Sequence, residues 1–195
     1  MAAKKKAVKR AAARRPVAAK KSVRKTTSAI PAGITLPRLG APMKGQGGNF
    51  MGIAPGEKGK PDGIIVMAIV PAGVLKGRYG PAEHVKDAES EHDGMVNTKA
   101  MAAAGSEIAK QALSVKIDGH ADFYIPARHE ARLCDMNGRA LCKEVYHWTS
   151  TQSRGFSGFA WAQSFGFGTQ NTFHKNDEFA VRLVRRVPFT HLTIR

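Results

Sequence analysis

The chain is poor in cysteine, and its first 56 residues contain no acidic side chain at all. Its two cysteines, Cys134 and Cys142, match neither a CxxC spacing nor a metal-ligand set, and two thiols do not make a disulfide framework. They read as small, reduced, partly buried side chains. Long apolar runs are missing too. The longest candidate, Ile64 to Val70, has the length of a strand, so no membrane-spanning helix is expected. The basic N-terminus is not followed by an apolar segment and does not read as a secretory signal, which points to a soluble protein made in the cytoplasm. Neither HExxH nor a phosphate loop ending in Lys-Ser/Thr occurs, and no internal repeat is found.

Charge is unevenly distributed. The formal net charge is +16, but residues 1–25 hold eleven basic side chains and no acid. These are Lys4, Lys5, Lys6, Lys9, Arg10, Arg14, Arg15, Lys20, Lys21, Arg24 and Lys25. The remainder has 20 basic against 15 acidic residues, a net of only +5. Residues 1–28, built mainly of Ala, Val, Lys and Arg, are expected to be a disordered arm, because like charges repel and no large apolar group is present to bury. The arm resembles the Lys/Ala/Pro tails of linker histones and bacterial histone-like proteins. It would bind nucleic acid without sequence preference and with strong salt dependence, or contact an acidic partner surface. Nothing beside it reads bases.

Residues 29–48 contain three prolines and five glycines and read as a linker or an extended docking segment. A folded domain over 49–195 follows. Phe50 to Ala54 and Ile64 to Val70 are expected strands around a turn at Pro61-Asp62-Gly63. Asn97 to Val115 is the best amphipathic helix, capped by Asn97 or Thr98, with Met101, Ile108, Ala109 and Leu113 on its apolar face. A second helix starts near Pro126, turns Leu133 and Met136 toward the core and stops at Asn137-Gly138. Tyr146 to Val187 then holds both tryptophans and six of the nine phenylalanines, cut by Gly155, Gly158, Gly166 and Gly168. That is the composition of strands and loops. Alternation groups Phe159, Trp161, Gln163, Phe165 and Phe167 on one face, which is expected to be buried, opposite small residues. Phe179 to Val187 reads as a single closing strand.

The strings DGHADFYIPARHEARL, YHWTSTQ, FAWAQSFGFGTQ and FAVRLVRRV, in that order, resemble the Lcl C-terminal domain family, and GGNFMGIAPGEKGKPDGIIVM looks like the opening hairpin of its phage and prophage versions. The likeness spans roughly residues 47–188. It implies an α+β, C-type-lectin-like fold with two helices and a small, mostly antiparallel sheet. It also implies binding of a ligand or surface, including glycans, by a virion or tail-associated protein. The chain departs from the family where Phe123 follows Asp122, and in the polar segment GRYGPAEHVKDAESEHDG. The arm and linker lie outside the likeness.

Within that resemblance Trp148 and Trp161 read as core residues. The binding candidates are the loop residues Arg154, Phe156, Ser157, Gln170, Asn171, Phe173, His174 and Asn176, which combine stacking with hydrogen bonding. No catalytic set is expected: His129, Glu130 and Cys134 fall on one short helix. No metal site is expected either, since Asn176, Asp177 and Glu178 alone supply too few oxygens for calcium. Nor is a cofactor. The function expected is a non-enzymatic phage or prophage particle protein. It would form a homo-oligomer, bind other virion proteins or a host-surface glycan or protein, and dock through its arm. The alternative is a nucleic-acid-associated protein in which the domain serves as an oligomerising scaffold.

Overall fold

The structure, a computed structural model, describes residues 35–57 and 59–189. The basic arm and residues 29–34 of the linker lie outside them. The architecture is α+β, with three helices and two sheets. The first sheet has the order β1-β2-β3-β9, made of Pro42–Met43, Gly48–Ala54, Gly63–Ala68 and Val184–Pro188. All its pairings are antiparallel. The second has the order β4-β8-β5-β6-β7, made of Val74–Arg78, Glu178–Arg182, Tyr146–Gln152, Phe159–Ser164 and Gln170–His174. Within it, β5 meets β8 in parallel at His147 and Ala180. Between the sheets' strands run α1 (Gly94–Ala103), α2 (Glu107–Ser114) and α3 (Arg128–Gly138).

Each of the four ordered blocks falls on an element. YHWTSTQ is β5, FAWAQS is β6, and ARHEARL opens α3. The last block, however, is two strands in different sheets. The chain leaves the second sheet at Leu183 and enters the first at Val184. Leu183 is fully buried; its N–H donates to Gly73 O (2.9 Å) and its carbonyl accepts from Ala68 N (2.9 Å). Tyr124 then exchanges two backbone hydrogen bonds with Val184, at 2.8 and 3.0 Å. The crossover breaks the alternation expected for one strand, so Val181, Arg182, Leu183, Val184 and Arg185 are all buried in succession.

The single helix expected over 97–115 is likewise two. Gly105 adopts φ +98°, a left-handed conformation that glycine reaches without steric cost, and α2 restarts after Ser106. Asp93 caps α1 by accepting from Val96 N (3.1 Å). Asn97 and Thr98, expected as caps, are instead buried ties. Asn97 Nδ2 donates to Ser90 O (2.7 Å), and Thr98 Oγ1 accepts from Ile125 N (3.1 Å). Part of the presumed linker belongs to the fold: β1 pairs with β2, while Leu36 and Met43 pack on buried Phe50, Ile64, Val66 and Val187.

On α3 the inward residues are Glu130, Ala131, Cys134, Asp135 and Gly138. Leu133 packs on the core edge, but Met136, expected inside, is 68% exposed. Gly138 is the last residue of the helix, where a Cβ would lie 2.5 Å from Met51 Sδ. Both cysteines are free; Cys134 is buried and Cys142 partly so. Among the described residues, no helix is long and apolar enough to cross a membrane.

Two predictions follow from this packing. Gly138→Val should cost about 1–3 kcal/mol by forcing Met51 aside, whereas Met136→Lys should stay within about 0.5 kcal/mol of wild type in denaturant unfolding. The second concerns His147, buried in β5, whose pKa burial lowers from 6.5 to about 4. The unfolded chain takes up that proton at higher pH than the folded one. The associated stability is therefore complete above pH 6.5 and is lost as pH falls toward 4, by up to about 3 kcal/mol. His147→Gln should flatten the acid limb of a stability-against-pH curve over that window.

Candidate functional site

Hairpin β6–β7 carries four of the eight residues singled out in the sequence, Gln170, Asn171, Phe173 and His174. Its register sets Phe159 opposite His174 and Trp161 opposite Thr172, and directly opposed residues share a face. On that face the Phe159 and His174 rings lie 4.1 Å apart, and Phe156, from the loop before β6, meets Phe159 edge-on at 6.0 Å. Farther along, the Arg128 guanidinium stacks 3.7 Å over Trp161. The same arginine donates Nε–H to Gln170 Oε1 (3.0 Å), and Gln170 Nε2 donates back to Arg128 O (2.8 Å). The result is a ledge of aromatic rings along the β6–β7 hairpin, braced by the start of α3.

The face expected to be buried is covered only in part, with Gln163 and Phe165 buried as expected. Ala160 and Ala162 are fully buried, Phe159 and Trp161 only half-buried, and Phe167 is 81% exposed in the turn after β6. The small residues point inward because large groups already fill the core beside them: Tyr79, Phe123, Trp148 and Leu183 belong to the same cluster. Trp148 is a core residue as expected, donating Nε1–H to Gly77 O (3.1 Å); Trp161 is not.

The eight candidate residues are not one loop surface. Gln170, Asn171, Phe173 and His174 form β7, an edge strand. Gln170 is engaged by Arg128, and Phe173 packs on the opposite side, 4.6 Å from Tyr146 and 4.9 Å from Phe179. Asn171 Nδ2 donates to Tyr146 Oη there (3.2 Å). Arg154 turns another way, bordering a cleft of about 560 Å³ lined also by Glu57, Asp87, Glu89 and Glu91. Phe156, Ser157, His174 and Asn176 are exposed, Phe156 by 69%. Phe156 and His174 are therefore the candidates that meet on the ledge. Phe159, Trp161 and Arg128 join them there and escaped sequence reasoning. The alternation grouped Phe159 with Trp161 but could not say which side of the sheet was covered.

Beneath the ledge lies a lysine that composition did not flag. Lys175 is fully buried; its Nζ donates to Glu83 O (2.7 Å) and Gln152 Oε1 (3.0 Å) and sits 5.4 Å from the Tyr79 ring centre. Burial lowers its pKa to about 8. Its backbone N–H also donates to Gly158 O (2.9 Å), so this residue fastens the segment around Glu83 and the loop before β6 to the end of β7. The ledge rests on a fixed floor.

The His129, Glu130 and Cys134 side chains diverge. His129 Nδ1 faces His92 at 2.8 Å near the surface, Glu130 is buried among donors, and Cys134 lies in the core with its thiol pKa pushed well up by burial. Among the described residues, no three His, Cys, Asp or Glu side chains converge as metal ligands. No protein-family model matches the chain, and no curated protein matches it.

The division of the eight candidates can be measured. Phe156→Ala and Arg154→Ala should change unfolding free energy by no more than about 0.5 kcal/mol. Phe173→Ala, which empties a place in an aromatic cluster, should cost about 2–4 kcal/mol.

Proposed function

We propose that this chain is a non-enzymatic component of a phage or prophage particle. In this reading its α+β domain is C-type-lectin-like and binds a host-surface glycan or protein through the Phe156–Phe159–His174 ledge, while its basic arm docks it. The observation that carries the reading is the ledge itself. Phe156 holds most of its ring in water in the loop before β6, edge-on to Phe159, and an exposed aromatic contributes contact area to a partner at little entropic cost. Asn176 and Ser157, exposed at the turns around it, offer hydrogen bonds to the rim of such a contact. The order of the sequence blocks along α3, β5, β6 and the β8–β9 pair supports the lectin-like assignment.

The test uses particles from an induced host. The chain should co-purify with particles, and Phe156→Ala should lower binding of the purified full-length protein to host cells at least tenfold without a change in melting temperature. Absence from particles, or undiminished binding by the variant, would contradict the proposal.

A second reading is favoured by one observation: eleven cations and no acid within 25 residues. In it the arm binds nucleic acid and the domain serves as an oligomerising scaffold. Deleting residues 2–28 should abolish salt-sensitive DNA binding while cell binding persists. Loss of both would reject the display reading and leave the second.

A further inference from the structure

On the α3 side of the second sheet, opposite the face where Phe173 packs, a groove of about 660 Å³ opens between β4, β5, β8 and the segment after α3. Its walls include Val74, Leu75, Tyr146 and Phe179, and its rim includes Val70 and Val145, which are 60% and 49% exposed. The volume is that of a small-molecule site. One charged side chain sits in the lining without an answering charge. Arg182 is only 4% exposed, its Nε is buried without a hydrogen-bond partner, and it forms no ion pair among the described residues.

That arrangement is costly, because a buried charge without a counter-ion loses hydration and regains nothing. The neighbouring titratable groups of the groove do not offset it at neutral pH. His147 is held neutral, with a pKa of about 4, and its Nδ1 lies 3.0 Å from Val145 O. The Cys142 thiol is pushed up to about 11 by burial and stays protonated. Glu178, at the rim, lies 4.0 Å from Lys76, and Lys143 adds a further positive charge there. The groove is therefore apolar along its walls and positive at its closed point.

We infer that this groove binds an amphipathic monoanion, an unbranched hydrocarbon chain ending in a carboxylate, with the chain along Val70, Val74 and Leu141 and the carboxylate on Arg182. A carboxylate there supplies the counter-charge and the acceptor that the guanidinium lacks, through charge-assisted hydrogen bonds. The hydrocarbon covers wall and rim residues that otherwise face water. The site is separate from the aromatic ledge. The two lie on the same face, the groove beside β4 and β8 and the ledge on β6 and β7, with β5 between them.

Titration calorimetry of the full-length protein with decanoate, decanol and decylammonium tests this. Decanoate should bind at least tenfold more tightly than decanol, and decylammonium should not bind. Arg182→Met keeps the side-chain volume and should erase the preference for decanoate while leaving decanol binding in place. Val70→Glu, at an exposed rim position where folding is not at stake, should weaken decanoate alone by repulsion. Anion binding by the N-terminal arm is the same in all three proteins and drops out of the comparison. Equal affinity for decanoate and decanol, retention of the preference in Arg182→Met, or no saturable decanoate binding would each overturn the inference.

Discussion

One buried carboxylate holds the separate pieces of this fold in register. Glu130 Oε2 accepts from Ala127 N (2.9 Å) and Gly94 N (3.2 Å), while Oε1 accepts from Tyr124 Oη (2.8 Å) and Arg186 Nη2 (3.1 Å). Those donors come from the start of α1, the turn before α3, the segment bridged to β9, and β9 itself. Burial lifts the Glu130 pKa, and Arg186 opposes that shift by favouring the ionised form. Four donors around two oxygens leave little room: a Cβ on Gly94 would lie 2.6 Å from Glu130 Oε2, so only glycine fits at that helix start. A buried charge satisfied this fully specifies one arrangement of its partners, because any other leaves it stranded.

The ledge and the groove depend on that arrangement. Arg128 stands two residues before Glu130, and its stacking on Trp161 and its exchange with Gln170 reach the ledge only when the first turn of α3 is placed correctly. On β9, Arg186 is the residue that ties the terminal strand to the hub, and β9 follows directly on β8, which carries Arg182 into the groove. The ledge, on β6 and β7, and the groove, beside β4 and β8, thus lie on one face of the second sheet, the face on which α3 packs. Arg185, next to Arg186, secures a further point through Asp122, with Nε–Oδ1 at 2.8 Å.

What the sequence made legible follows from where the information was local. The fully buried β3 reads directly from its unbroken apolar run, and β5 from its β-branched and aromatic residues. The break at Gly105 also had a local signal, glycine followed by a serine and a glutamate, but an apolar period running through it masked the break. Two features had no local signal at all. The division of Phe179–Val187 between sheets is decided by Tyr124, some sixty positions earlier, and by the pairing of β9 with β3. The orientation of β6 is decided by how much space Trp148 and Tyr79 already occupy. Alternation supplies a period, not a sign. The site inherited that error: Phe156 and His174 stood out as polar-flanked aromatics, whereas Phe159, Trp161 and Arg128 were concealed by a face assumed to be covered. Arg182 was concealed in the same way, as one basic residue in an arginine-rich strand.

The dependence on Glu130 is open to one direct measurement, a double-mutant cycle of Glu130→Leu and Arg186→Met read by urea unfolding. Each single change strands the other's charge and should cost about 3–5 kcal/mol, while the double variant removes both charges and should cost far less than the two together. The account predicts a coupling above about 1.5 kcal/mol, within the range that contacting residues show. Additive losses would mean that the carboxylate and the guanidinium act independently, and that the hub does not organise the fold.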